Sequence, residues 1–484
     1  MDLRAVAPLP GCGAEVSGPS HRGPPRAPVG PSAGRFGWGR ARLGAMTGAR
    51  NSPTRFKLVA AAAIVAGAVM SAAPATGDAD GGPVTEQIRG LAEELAELRG
   101  ISLRGPIDGQ VLPEDALVDR MRQVAARSDE EGQAAGVTRA LARLGAAEAS
   151  APFRGTLAWE AAPSAHQGFY DPYERRLYVR NDAAHSDRAL VWGVARAVHD
   201  QHVDWQTFLG EAGNSDEFVA RRALLEGDAV ALALEQGMRR EGVGIVWGND
   251  AVTGMLRQLG RGDEGGPLSE APADLRERLL FPYREGTAFI ARARRHGAWS
   301  AIDDMYDRPP LSTSHILHPE RYERYERPRV VEPGDIGPDR VYRSVYDDVS
   351  GELGLKTWLA ARGVSRQRAA RAADGWAGDR LVVYAPPGPF SLVWSDLAIS
   401  YSTWHTEIDA VEFFEAGATA LASLAGGAGA AHPEEDRIVY ELGDYESAWI
   451  ERRGEDVIFV LGAMPSFAES LPDVLWDSWA VERP

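Results

Sequence analysis

Apolar residues recur every three to four positions between residues 84 and 150, and this spacing predicts amphipathic helices. The first of these helices contains Ile88 on its apolar face, and Gly100 is expected to end it. Two further segments with the same spacing follow, at about 113–126 and 132–144. Together they predict an N-terminal helical region over residues 84–150.

The middle of the chain, residues 151–345, combines a short hairpin with long helices. Aromatic and β-branched residues surround an Asp-Pro turn at 168–179 and predict a strand, a turn and a second strand. Helical spacing then predicts four helices, at about 187–208, 216–240, 250–260 and 285–306. A proline-rich loop is expected at 308–320.

The C-terminal part, residues 346–484, adds strands to the helices. Helices are expected at 353–362, 369–373 and 407–424, and strands at 380–384, 391–400, 437–441, 447–452 and 456–462. A turn centred on Gly454 joins the last two strands as a hairpin. This pattern predicts an α+β subdomain in which a helix crosses one face of a sheet. The expected fold class of the whole chain is α+β and helix-rich.

The N-terminal 75 residues have the composition of a leader rather than of a folded domain. Residues 1–45 are rich in Gly, Pro and Arg, so they are expected to be disordered, and Met46 is the expected true start. A basic segment, an apolar run and small residues succeed one another in 46–75, which is typical of a cleaved signal peptide. The protein is therefore expected in the periplasm or outside the cell. An uncleaved N-terminal membrane anchor is the alternative.

The net charge of the chain limits the classes of partner that are expected. The net charge is −17 at pH 7, and the basic leader makes the remainder more acidic still. Such a surface repels phosphate backbones, so nucleic acid is not an expected partner, while peripheral membrane association stays open. The single cysteine, Cys12, precedes the expected start, so neither a disulfide nor a cysteine-bound metal is expected.

The predicted helix that begins near residue 187 is the most informative segment. It follows the hairpin and precedes a helix that contains Glu226. This order resembles a family of bacterial zinc-metallopeptidase-like proteins, whose members read roughly HELTHALQDQHFDL here. Aligned on residues 200–202, the zinc motif HExxH falls on residues 192–196. Shorter matches occur at 168–171, 281–283, 309–320 and 375–380.

The resemblance implies a zincin-like core over residues 151–345 with a degenerate metal site. In the family two histidines and a glutamate of the next helix bind Zn²⁺, and the glutamate of HExxH activates a water molecule. Here Trp192 and Arg196 replace the histidines, and Gly193 replaces the general base. Glu226 remains as the remnant third ligand. No catalytic group of the motif is intact, and no resident metal is expected.

The substitution at position 196 suggests a replacement contact. Arg196 would occupy the position of the metal and face Glu226, and an arginine–carboxylate pair would neutralise that carboxylate. We therefore predict a salt bridge in place of the metal. The alternative is that both side chains face solvent independently.

Two histidines offer a different interpretation. His199 and His202 lie three residues apart and, with Glu226, would form a displaced zinc site. The alternative is that both histidines, at the helix end, bond to loop groups or to neighbouring carboxylates. Arg196 lies one turn away and would oppose a cation.

The expected function is that of an exported, catalytically inactive metallopeptidase-like protein with a binding, regulatory or structural role. Its expected partner is a protein or peptide, held in the former substrate cleft, to which Tyr283, His315 and His318 are candidate contributors. An active metallohydrolase that uses the displaced zinc site is the alternative. A scaffold partner of an active homologue is a third possibility that the sequence does not separate from the first.

Overall fold

The structure, a computed structural model, describes residues 82–127, 131–145, 167–242, 244–245, 247, 273–334, 336, 342–386, 388, 395–427, 432–442, 446–463 and 470–483. The predicted disordered segment and signal peptide lie outside the described residues, and so does the helix predicted near 250–260. The described part is α+β, as predicted.

Helices dominate up to residue 324. They are α1 (Gly82–Arg99), α2 (Glu114–Arg127), α3 (Glu131–Arg143), α4 (Asp187–His202), α5 (Trp205–Gly210), α6 (Ser215–Arg240), α7 (Ala273–His296), α8 (Ser300–Asp307), α9 (Thr313–Leu317) and α10 (Pro319–Arg324). The three predicted N-terminal helices are confirmed, and α1 ends before Gly100, which has a positive φ. The loop predicted at 308–320 instead contains α9 and the start of α10.

The helix predicted over 187–208 is wrong in its extent, because α4 ends at His202 and a separate helix, α5, begins at Trp205. Asp204 accepts a hydrogen bond from Thr207 N as the N-cap of α5. Asp200, in the last turn of α4, accepts from Trp205 N at 2.9 Å. Two side chains thus satisfy backbone donors at the break, and this local bonding outweighs the continuous apolar spacing.

Helices α6 and α7 approach each other closely at two glycines. A Cβ at Gly227 would lie 2.3 Å from the carbonyl carbon of Gly286, and a Cβ at Gly286 would lie 2.1 Å from Ala223 O. Only glycine fits at this crossing. The crossing keeps the middle of α6, which contains Glu226, against α7, which contains Tyr283.

A small sheet lies beside these helices. Its strands β1 (Asp108–Leu112), β2 (Gly168–Asp171) and β3 (Arg176–Arg180) are in the order β1-β3-β2. The predicted hairpin is confirmed as β2 and β3, whereas β1, which pairs in parallel with β3, was not predicted. Buried apolar side chains of α1, α4, α6 and α7 share one core with this sheet.

The C-terminal part is built on a seven-stranded antiparallel sheet in the order β5-β6-β7-β11-β10-β9-β8. The elements are β4 (Val330–Glu332), β5 (Arg343–Asp348), α11 (Gly351–Ala361), α12 (Arg366–Asp374), β6 (Trp376–Ala385), β7 (Leu397–Trp404), α13 (Glu407–Leu424), β8 (His432–Pro433), β9 (Arg437–Glu441), β10 (Ser447–Arg453), β11 (Asp456–Ala463), α14 (Leu471–Ser478) and β12 (Ala480–Glu482). Helices α11, α12 and α13 cover one face, and α14 covers the other.

The predicted helix across one face of the sheet is therefore present as α13, and the predicted hairpin as β10 and β11. Strand β5 already belongs to this sheet, while the domain limits at 150 and 345 stay predictions. Within the described residues, no helix combines the length and the apolar character needed to cross a membrane.

Candidate functional site

Helix α4 contains Trp192 and Arg196, the two positions that the predicted alignment places at the zinc-binding histidines. Trp192 and Arg196 lie one turn apart, share a face of the helix and are both buried. The Arg196 guanidinium lies 4.9 Å from the ring centroid of Trp192 and 4.6 Å from that of Trp205. Packing against two indole rings stabilises a guanidinium that is withdrawn from water.

Helix α6 brings Glu226 to this guanidinium. Arg196 Nη2 lies 3.4 Å from Glu226 Oε1, and both side chains are almost completely buried. Arg222 Nε lies 3.6 Å from the same oxygen, and the Tyr283 hydroxyl donates to it at 3.3 Å. Two cations and a phenol thus compensate a fully buried carboxylate, which would otherwise be costly to desolvate.

Tyr283, a predicted cleft residue, belongs to this cluster. Burial and the Glu226 carboxylate raise the pKa of Tyr283 to about 12, so the phenol stays protonated and donates. Its ring packs edge-on against Trp192, with 6.0 Å between ring centroids. We call Trp192, Arg196, Arg222, Glu226 and Tyr283 the arginine cluster.

Gly193, which the predicted alignment places at the general base, lies where α4 packs against β3. A Cβ at Gly193 would lie 2.5 Å from Leu177 Cδ1 of β3. A side chain at this position would require the end of the Leu177 side chain to shift within the core. The glycine therefore allows α4 to approach β3 closely.

His199 lies in a second buried cluster, with Asp228 rather than Glu226. Its Nε2 is 3.3 Å from Asp228 Oδ2, and burial lowers the pKa of His199 to about 4, so the ring is neutral. Arg99 donates to Asp228 Oδ2 at 3.2 Å, and the Tyr306 hydroxyl donates to it at 2.9 Å. Positions 226 and 228 lie on different sides of α6, so the two carboxylates serve different neighbours.

The displaced zinc site would need His199, His202 and Glu226 together, and the structure gives each a different partner. His202 Nε2 lies 3.9 Å from Asp303 Oδ1, and Glu226 faces the arginine cluster. Among the described residues, no group of three or more His, Cys, Asp and Glu side chains is arranged to hold a metal ion. The side chains at 192, 193 and 196 do not fit zinc either, because an indole, a glycine and a guanidinium offer it no donor.

The other two predicted cleft histidines lie away from the arginine cluster and near α9. His315 is buried, Leu311 N–H donates to its Nδ1 at 3.3 Å, and its Nε2–H therefore donates to Glu326 O at 2.7 Å. His318 Nε2 lies 2.8 Å from Glu352 Oε1 of α11. His315 thus joins α9 to the segment that contains Glu326, and His318 joins the end of α9 to α11. Such contacts are those of structural residues.

A buried carboxyl that the sequence did not single out lies beside α9. Asp216 accepts hydrogen bonds from Thr313 N at 3.0 Å and from Thr313 Oγ1 at 2.5 Å. Burial raises the pKa of Asp216 to about 8, so this carboxyl is protonated at neutral pH. Asp379, also buried, accepts from Ser350 N and Gly351 N at 2.9 Å each, at the start of α11.

Asp216 is expected to make the protein less stable as the pH rises. The unfolded carboxyl has a pKa near 3.8, so between about pH 4 and pH 8 only the folded state retains the proton. The Asp216 contribution is fully present below the unfolded value and is lost as the pH rises through this window, by up to about 1.4 kcal/mol per pH unit. Asp216→Asn, which mimics the protonated form, should remove this dependence in urea unfolding at a series of pH values. Parallel profiles for the two proteins would contradict it.

Comparisons with known proteins bear on the C-terminal part. A family model described as a domain of unknown function, DUF8575, matches residues 339–472. This segment runs from just before β5 to the first residues of α14 and contains the strands of the seven-stranded sheet. No curated protein and no solved structure matches the chain. The match does not include α4, α6 or α7, which form the arginine cluster.

Proposed function

We propose that this protein is an exported, catalytically inactive metallopeptidase-like protein in which the arginine cluster replaces the zinc site. It would act in the periplasm or outside the cell as a binding, regulatory or structural module. Its partner would be a protein or a peptide. The proposed export rests on the signal-like pattern of residues 46–75.

The observation that carries the proposal is the ion pair between Arg196 and Glu226. A guanidinium now supplies the positive charge that a metal would supply to the remnant ligand. Because Trp192 and Trp205 pack against that guanidinium, the position is filled by protein atoms. With Arg196 at the position that the alignment assigns to a metal ligand and Gly193 at that of the general base, the site would lack the groups with which the family activates water.

A direct test restores the two missing histidines. The variant Trp192→His/Arg196→His should bind Zn²⁺ in an equimolar ratio, with Glu226 as the third ligand. Position 196 already faces Glu226, and position 192 packs against Tyr283, which donates to Glu226. Gly193 is left unchanged, since a side chain there would displace Leu177. Binding is measured by titration calorimetry and by metal analysis after dialysis, and the unaltered protein should retain no equimolar zinc.

Two control variants sharpen this test. Adding Glu226→Gln to the double variant should weaken zinc binding by at least about tenfold, as expected for the loss of an anionic ligand. Adding His199→Ala should leave zinc binding unchanged, because His199 faces Asp228. A folded double variant without zinc affinity would refute the alignment with the peptidase motif. Zinc bound by the unaltered protein and lost in His199→Ala would instead establish the displaced site.

A further inference from the structure

A cavity of about 80 Å³ lies between the helical part and the seven-stranded sheet. Its wall is contributed by α3, α6, α7, α9, β5 and α11, together with single residues of β6 and β11. At roughly 10–15 Å³ for each water-sized group, this volume accommodates about five to eight non-hydrogen atoms. The cavity is separate from the arginine cluster, none of whose residues line it.

Most of the wall is apolar. Leu141 of α3, Val219 of α6, Leu353 and Trp358 of α11, and Phe459 of β11 provide the larger apolar surfaces. An aliphatic group of three or four carbons would therefore be better accommodated here than water.

The polar groups of the wall come from several elements, among them Asp216 of α6, Arg278 of α7 and Thr313 of α9. Asp216 and Thr313 bond to each other, and the raised pKa of Asp216 leaves its carboxyl neutral at neutral pH. Arg278 of α7 also lines the cavity, and no carboxylate of the described residues is in ion-pair contact with it. The adjacent Glu277 is instead paired with Lys356 at 2.8 Å.

A guanidinium at the wall of an apolar cavity favours an anion, and a planar carboxylate matches its fork of donors. Arg362, the other arginine of the wall, is less suited to this role. Its Nη1 lies beside Gly145, just past the C-terminal end of α3, where helix carbonyls already attract a cation.

We propose that this cavity is a binding site for a short aliphatic carboxylate, with its alkyl group against Leu353 and Trp358 and its carboxylate on Arg278. The alkyl group and the carboxylate match the two kinds of surface that the cavity presents. A free short-chain acid and the C-terminal residue of a peptide both have this chemistry.

The test compares butanoate with butanamide, its uncharged isostere, on the full-length protein by titration calorimetry and ligand-observed NMR. Butanoate should bind at one saturable site at least about tenfold more tightly than butanamide, as expected for a charge-assisted bidentate contact. N-acetylvaline serves as a third probe, whose valine portion has about the eight non-hydrogen atoms that the cavity accommodates and whose acetyl group would extend out of it, as a preceding peptide would. Tighter binding of N-acetylvaline assigns the carboxylate to a peptide terminus, and tighter binding of butanoate assigns it to a free acid.

Three variants complete the test. Arg278→Gln should reduce butanoate affinity to that of butanamide, whereas Arg292→Gln, an exposed position on the same helix, should leave the affinity unchanged. Ala140→Phe, which fills the cavity from α3, should abolish binding of both probes. Each variant is checked for cooperative unfolding. Equal affinities of the two isosteres for the unaltered protein, which requires no variant, would overturn the proposal, and so would unchanged butanoate binding in folded Arg278→Gln.

Discussion

Glu226→Ala is expected to lower the free energy of unfolding by about 3–5 kcal/mol, the usual loss when one member of a buried ion pair is removed. The substitution leaves the Arg196 guanidinium almost completely buried without its carboxylate. It also removes the acceptor of the Tyr283 hydroxyl and the carboxylate that faces Arg222. Urea unfolding followed by circular dichroism measures the change.

The double variant Arg196→Met/Glu226→Gln is the matched control for charge. It removes the buried cation together with the buried anion, so it should be more stable than Glu226→Ala alone. An exposed pair supplies the second control. Glu412→Gln, whose partner Arg371 is largely exposed, should cost less than about 1 kcal/mol. If Glu226→Ala costs no more than Glu412→Gln, the carboxylate does not compensate Arg196 and the arginine cluster has no role in stability.

Gly286→Ala is expected to destabilise the protein by about 3 kcal/mol, near the upper end of the range for overpacked interiors. The new Cβ would lie 2.1 Å from Ala223 O, a backbone atom that cannot move aside as a side chain can. Helices α6 and α7 would have to separate, and the contact between Tyr283 and Glu226 would lengthen with them. Thermal and urea unfolding report the loss of stability.

Gly237→Ala, a substitution in α6, is expected to have the opposite effect on stability. No atom lies within 4 Å of a Cβ at Gly237 in α6, so alanine there should raise stability by about 0.5–1 kcal/mol through helix propensity. The two substitutions add the same methyl group, and only the neighbouring atoms differ. A similar effect of both on the melting temperature would show that α6 and α7 do not cross as closely as described.

Local pattern was sufficient for much of the secondary structure. Helical spacing located α1, α6 and α13, because each of these helices buries one stripe. Short runs rich in β-branched and aromatic residues located β9, β10 and β11. Local pattern failed where polar side chains decide where a helix ends, as after α4. It also failed where a strand pairs with one that is distant in sequence, as β1 does with β3. Neither a capping carboxylate nor a parallel partner leaves a periodic signal in the chain.

The candidate site was only partly predictable. A contact between Arg196 and Glu226 followed from the replaced motif, but the packing of Trp205 and the bonds of Arg222 and Tyr283 did not. Tyr283 and Glu226 are 57 positions apart in the sequence, and no pattern links them until the helices pack. The partner of His199 depended likewise on which side of α6 carries Asp228.

The sequence by itself determined the order and type of most elements and the acidic character of the chain, since these depend on local pattern and on composition. Tertiary structure decided which side chains surround Glu226, because that depends on how α4, α6 and α7 pack. It also decided that α3, predicted within the N-terminal helical region, places Ala140 in the core of the seven-stranded sheet. Burial also raised the pKa of Asp216, which lines the cavity, and so left its carboxyl protonated at neutral pH. This effect arises only when segments that are distant in sequence enclose the carboxyl and withdraw it from water.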